Sequence, residues 1–118
     1  MEKNKRKIGA CYEQIAGEFL KKLGYEILEY NFHSLVGEID IVALYEEYLV
    51  FIEVKYRKDA KKGNPFEAIS MQKQKRISKC ALYYIKKHEL QNMPVRFDVV
   101  GILGKEIQVI SNAFDFLT

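Results

Sequence analysis

The segment Leu49–Tyr56, LVFIEVKY, is apolar on both of its alternating faces, interrupted only by one acid and one lysine. A strand of that kind is expected to be buried on both faces, in a sheet covered on both sides. Its neighbours supply the rest. Tyr25–Phe32 and Glu38–Tyr45 (EIDIVALY) read as strands, and the links His33–Gly37 and Glu46–Tyr48 are short enough for an antiparallel meander. Ahead of them, Ile8, Tyr12, Ile15, Phe19 and Leu23 recur at helical spacing over residues 7–23, and Gly24 supplies a stop. Behind them, Asn64 as cap, Pro65 at the first turn and Glu67 three past the cap predict a second helix. Its stripe is Ile69, Ile77, Cys80, Ala81, Tyr84 and Ile85, and it ends before Pro94. Val95–Ile102 and Glu106–Ile110 read as two further strands about Gly104, and the tail after Ser111 has no assignment. A strand–helix–strand step makes the third and fourth strands parallel through a right-handed crossover. The expectation is an α/β (α+β) fold, αβββαβ(β), with a mixed central sheet flanked by helices.

A chain of 118 residues has room for one domain, 1–118 with its core at about 7–110, and none for a separate cofactor domain, so no small-molecule cofactor is expected. At 48% hydrophobic and 30% charged residues it is neither disordered nor fibrous. No apolar run approaches membrane-span length, and the basic start (Lys3, Lys5, Arg6, Lys7) leads into a helix broken by Glu13 and Glu18; a cytoplasmic protein without membrane contact is expected. Cys11 and Cys80 have no ligand spacing and read as buried small hydrophobes. His33 and His88 read as surface residues. The net charge of +3 is unevenly placed: residues 1–60 hold nine Lys/Arg against eleven Asp/Glu, and residues 61–118 hold ten against five. The clusters Lys55/Arg57/Lys58/Lys61/Lys62 and Lys73/Lys75/Arg76/Lys79 are either a solvated surface or a stripe for a polyanion.

The residues that break the apolar pattern point to chemistry. Alternation puts Phe51, Glu53 and Lys55 on one face and Ile52, Val54 and Tyr56 on the other. A buried ionised carboxylate at Glu53 requires a positive partner. Lys55 could be that partner in a purely structural pair, although such pairs are often replaceable by apolar residues without loss. Asp40 interrupts Ile39–Asp40–Ile41–Val42 on the adjacent strand, and two acids with one lysine suit a hard divalent cation better. Glu13 lies at the border of the first helix's apolar face, bracketed by Gly9 and Gly17, and is either a third acid of this group or a solvated helix-edge residue. Glu38 reads as a strand-edge or supporting carboxylate. Asp98 reads as a partner of Arg96 or another basic residue rather than a metal ligand, and Tyr56 as core in preference to substrate-facing.

Asp40, twelve intervening residues, then Glu53–Val54–Lys55 resembles the D…ExK pattern of the PD-(D/E)XK nuclease superfamily, with Ile39 where that name has Pro. Taken together, Gly9…Glu13…Ala16, GEIDIV at 37–42, VFIEVKYR at 50–57, KQKRI at 73–77 and RFDVV at 96–100 resemble the YraN family of bacterial proteins. Members of that family are similar in fold to Holliday-junction resolvases. The resemblance spans residues 8–102 and implies a restriction-endonuclease-like core acting on DNA, branched or damaged forms included, with Mg²⁺ or Mn²⁺. It implies Asp40, Glu53, the Val54 carbonyl and Glu13 as metal ligands, Lys55 as holder of the attacking water, and Gln74, with Gln72 as its competitor, as a helix glutamine near the site. Arg57, Lys73 and Arg76 would bind backbone phosphates. A homodimer follows by analogy with resolvases, whose paired cuts need two sites. The other implied class is a nucleic-acid-binding or scaffold protein that keeps this fold without turnover.

Overall fold

A computed structural model describes residues 2–63 and 69–117. Helix α1 (Glu2–Lys22) leads into three strands, β1 (Glu26–Ser34), β2 (Gly37–Tyr45) and β3 (Tyr48–Arg57). A 3-10 turn (Ala60–Lys62), helix α2 (Met71–Lys87), β4 (Val95–Leu103) and β5 (Glu106–Phe114) follow. The five strands form one sheet in chain order, antiparallel throughout except for parallel β3–β4. This is a single-domain α+β protein with a mixed sheet and a helix on each face, as the element pattern predicts.

The central strand is apolar on both faces because each face carries its own core. Toward α2, Phe51 packs with Ile39, Val42, Phe97 and Val99 under Ile77, Cys80, Ala81 and Tyr84. Toward α1, Val50 and Ile52 pack with Ile41, Ala43, Val100 and Ile102 under Ala16 and Leu20.

Three expectations need correction. The buried line of α1 is Ala16, Gly17 and Leu20, whereas Ile8, Ile15 and Leu23 are exposed; the helix is rotated from the predicted stripe because Gly17 and Ala16, being small, allow the closest approach to the sheet. A Cβ at Gly17 would collide with the Tyr30 hydroxyl. That rotation also leaves Cys11 exposed, while Cys80 is buried as expected. Finally, α2 begins at Met71, capped by Ser70, whose Oγ accepts from the Lys73 N–H at 3.2 Å. Ile69 is buried but precedes the helix, and the Asn64–Pro65–Glu67 signal lies outside the described residues. The unassigned tail extends β5 to Phe114. Phe114 and Phe116 pack on Phe97, and the Leu117 N–H donates to Ser78 Oγ at 3.0 Å.

Candidate active site

Between β2 and β3 the sheet forks. The two strands pair only from Ile41↔Ile52 to the Tyr45↔Tyr48 turn. Beyond Ile41, β2 stays with β1 as far as Ser34↔Gly37, and beyond Ile52, β3 stays with β4 as far as Arg57↔Leu103. Asp40 and Glu53 are the first residues past the split, one on each tine. Side-chain alternation in β2 also breaks here, since Ile39 and Val42 share the α2 core while Ile41 lies in the α1 core. Opposite this break, Asn31 of β1 has φ 55°. Splaying the strands removes backbone partners, and Asp40 replaces one: the Val54 N–H donates to Asp40 Oδ2 at 2.8 Å.

The Asp40 carboxyl is in hydrogen-bond contact with two others, Glu13 of α1 and Glu53 of β3. Glu13 reaches it because, at i−3, i−4 and i−7 from Ala16, Gly17 and Leu20, it continues the buried line of α1 toward the fork. The bracketing glycines divide their roles. Gly17 receives Tyr30, and Gly9 opens onto the cavity, where a Cβ would meet nothing within 4 Å.

Three carboxyls in a row are electrostatically frustrated. Burial, and then the charge of Glu13, push the Asp40 carboxyl up to about 7 against the opposing Val54 N–H. Burial, and then Asp40, push Glu53 up to about 7, with Lys73 opposing. Glu13 is also raised, chiefly by burial, with Glu38 and Glu53 adding and the hydrogen bond from Asp40 opposing. Lys73 Nζ lies 2.6 Å from Glu53 Oε1. A residue whose expected role is phosphate binding thus supplies a positive partner for Glu53. Lys55 is partly buried, on the face of Glu53 as alternation requires and in register with Gly101 of β4.

The cluster opens into a cavity of about 780 Å³ walled by Gly9, Tyr12, Glu13, Glu38, Asp40, Glu53, Val54, Tyr56 and Arg57. On the α2 side, a second hollow of about 220 Å³ joins Asp40 and Glu53 to Lys73 and Arg76. Val54, Arg57 and Arg76 therefore border the acids. Gln74 does not border them: its Nε2 donates to the Ile69 carbonyl at 2.9 Å, tying down the entry to α2, while Gln72 is exposed. Tyr56, for which core is the preferred of two readings, is partly buried and stacks on Tyr12 at 3.6 Å between ring centroids, and it lines the cavity. Glu38 has a larger place than its sequence position suggests. It borders both hollows, and a third of about 650 Å³ between α1 and β1, and its Oε2 lies 3.4 Å from His33 Nδ1. The available signal was its i−2 spacing from Asp40. Asp98 is structural, as expected. It is buried, paired with Arg96 at 2.8 Å, and accepts from the Tyr25 hydroxyl at 2.6 Å and the Asn112 N–H at 2.9 Å.

Among the described residues, no three His, Cys, Asp or Glu side chains are arranged as they stand to hold a metal ion. The acids form a chain, Glu13–Asp40–Glu53, in which each contact needs a shared proton or an intervening cation. Their chemistry nevertheless fits a divalent ion: all are hard oxygen donors, they carry excess negative charge in a partly dry site, and they face an open cavity.

Fold and site together define the class: a small α+β protein with a forked mixed sheet and an acidic cleft at the fork. The chain belongs to the uncharacterised protein family UPF0102, whose family model matches residues 12–102. It is 50% identical over 113 residues to a UPF0102 protein of Lachnoclostridium phytofermentans, covering 95% of this chain and 96% of that one. A UPF0102 protein of Caldicellulosiruptor saccharolyticus is 44% identical over 117 residues, covering 94% and 99%. The counterpart in Clostridioides difficile is 43% identical over 113 residues, covering 94% and 99%.

Proposed function

We propose that this protein is a divalent-metal-dependent nuclease that hydrolyses phosphodiester bonds in DNA, in the manner of the PD-(D/E)XK enzymes its D…ExK motif resembles. The observation that supports this reading most strongly is the meeting of Glu13, Asp40 and Glu53, from three different elements, at a fork that opens into a cavity. Asp40 and Glu53, with the Val54 carbonyl and Glu13, would hold Mg²⁺ or Mn²⁺. Bound there, the ion would lower the pKa of a coordinated water and polarise a phosphoryl oxygen.

The chain's own groups do the remaining work. The Val54 N–H fixes one Asp40 oxygen and so orients the other. Lys55 holds the attacking water and offsets charge as the phosphorus gains a fifth oxygen. Arg57 and Arg76, on opposite sides of the acids, and Lys73 between them, hold backbone phosphates. Gln74 acts on α2, keeping the turn that carries Lys73 in place.

The test is cleavage of linear, single-stranded, flapped and four-way DNA by the purified protein as Mg²⁺ or Mn²⁺ is added. Cleavage is expected, and Asp40→Ala or Glu53→Ala should lower it by roughly 10²-fold or more. Activity that survives either substitution would falsify the assignment to this site. A second reading, DNA binding without turnover, is favoured by the Lys73–Glu53 ion pair, which meets part of the charge demand of Glu53 without a metal. It predicts salt-dependent binding, no calorimetric signal for divalent ions and no cleavage of any DNA.

A further inference from the structure

The β1–β2 hairpin ends in a feature that the fold does not use. Its turn residues are Leu35 and Val36, where tight turns usually carry Gly, Asn or Asp. Leu35 is fully exposed, at 107%, and Val36 is 45% exposed. A lone apolar surface residue would need no explanation, but two adjacent ones at a projecting tip, next to an acidic cleft, do.

The base of the tip is tied to α2. The Val36 N–H donates to Ser34 Oγ at 3.3 Å, and Ser34 Oγ lies 3.3 Å from both the Gly37 carbonyl oxygen and Cys80 Sγ of α2. Cys80 Sγ lies 3.5 Å from the same carbonyl, and the aliphatic stem of Arg76 runs beneath Gly37. The hairpin tip is thereby bonded to the helix that carries the cations. At its foot, Lys73 and Arg76 border the hollow that leads to Asp40 and Glu53.

We propose that Leu35, backed by Val36, is an apolar wedge that enters the base stack of bound DNA while Arg76 and Lys73 hold the adjacent phosphates. The nature of the ligand rests on the nuclease reading above. A ligand drawn to those cations is a polyanion, and the apolar interior that nucleic acid offers is its stack of bases. Wedges of this type unstack a step and bend the duplex, at a cost that the added contacts must offset. Leu35 lies five residues before Asp40, with the turn at Val36 and then β2 from Gly37 between them, a separation of at most roughly 16 Å at about 3.3 Å per residue. At roughly 3.4 Å per nucleotide, the disturbed step lies within about five nucleotides of the phosphate at the acids.

The full chain, in EDTA to prevent turnover, is mixed with duplexes carrying 2-aminopurine at successive positions, and emission and anisotropy are recorded. Wild type is expected to raise emission at one step. Leu35→Ser should abolish that rise and weaken binding roughly tenfold, with an unchanged melting temperature because the side chain packs on nothing. Leu35→Met should restore both signals. Arg76→Gln should weaken binding and reduce the salt slope by about one while keeping the rise at saturation. A Leu35→Ser protein with wild-type emission and affinity overturns the wedge. So does failure to bind any duplex, or a change confined to self-association in sedimentation. A wedge signal without cleavage on any DNA removes the nuclease reading and leaves the wedge standing; cleavage lost in Asp40→Ala with no wedge signal does the reverse.

Discussion

Burial raises the Asp40 and Glu53 carboxyls to about 7, with Glu13 and Glu38 adding at Asp40 and Asp40 adding at Glu53, and this makes their titration a property of the whole fold. Both carboxyls have folded values of about 7, above the unfolded value of about 4. Between those limits the native state binds more protons than the unfolded one, so stability falls as pH rises from 4 to 7 and the full penalty is present above 7. Urea unfolding in EDTA should show stability falling between pH 5 and pH 8, by at most roughly 5 kcal/mol from the two groups together. Asp40→Asn with Glu53→Gln should flatten that slope. Magnesium competes with the same protons, so its stabilisation of the wild type should be larger at pH 8 than at pH 5.5. A flat pH profile, or an Mg²⁺ effect independent of pH, would show that the acids are not coupled as described. Asp40, Glu53 and the alternation of β3 were legible in the sequence because a charge in an apolar strand stands out against its neighbours. The Lys73–Glu53 contact was not: it joins residues on different elements across the crossover, and no local pattern encodes the rotation of α2.

At the scale of elements, what positions Glu13 is the seating of α1, and that seating turns on Gly17 and Tyr30. The strands and the parallel β3–β4 step could be read from apolar alternation and short links. The orientation of α1 could not, because its exposed residues include Ile8 and Ile15, with Leu23 exposed just past its end, and hydrophobicity alone points to that face. Close approach at small residues decided the matter, and a periodicity count gives Gly and Ala little weight. Among the described residues, the Tyr30 hydroxyl is buried without a hydrogen-bond partner. Tyr30→Phe removes that orphan group and should be neutral or stabilising by up to about 1 kcal/mol. Gly17→Ala drives a methyl against the same hydroxyl and should cost about 1–3 kcal/mol, despite the better helix propensity of Ala. The double substitution should cost less than Gly17→Ala alone, which thermal denaturation of all four proteins can measure. Additive effects would mean that α1 is seated by something other than this contact. Gly17→Ala should also reduce any Mg²⁺-induced stabilisation, since it moves Glu13 away from Asp40.

Across the whole molecule, charge is arranged in opposition: acids inside the fork, and Arg57, Lys73 and Arg76 around its rim. A phosphate backbone drawn by the rim must pass close to carboxylates that repel it. The two charge sets therefore make opposite contributions to DNA affinity when no divalent ion is present, and the same contribution when one is. Neutralising the acids with Asp40→Asn and Glu53→Gln should tighten DNA binding in EDTA by roughly 3- to 10-fold, as expected for removing charge a few ångströms from a phosphate in a partly screened site. Ca²⁺ should tighten the wild type by a similar factor and the double variant hardly at all. Anisotropy titrations at a fixed salt concentration give all four affinities. If the double variant binds no better than wild type in EDTA, phosphate does not approach the fork, and the cations on the rim serve some purpose other than feeding DNA to the acids. If it binds better and Ca²⁺ no longer helps, the fork is where nucleic acid and metal meet, whether or not a bond is then broken.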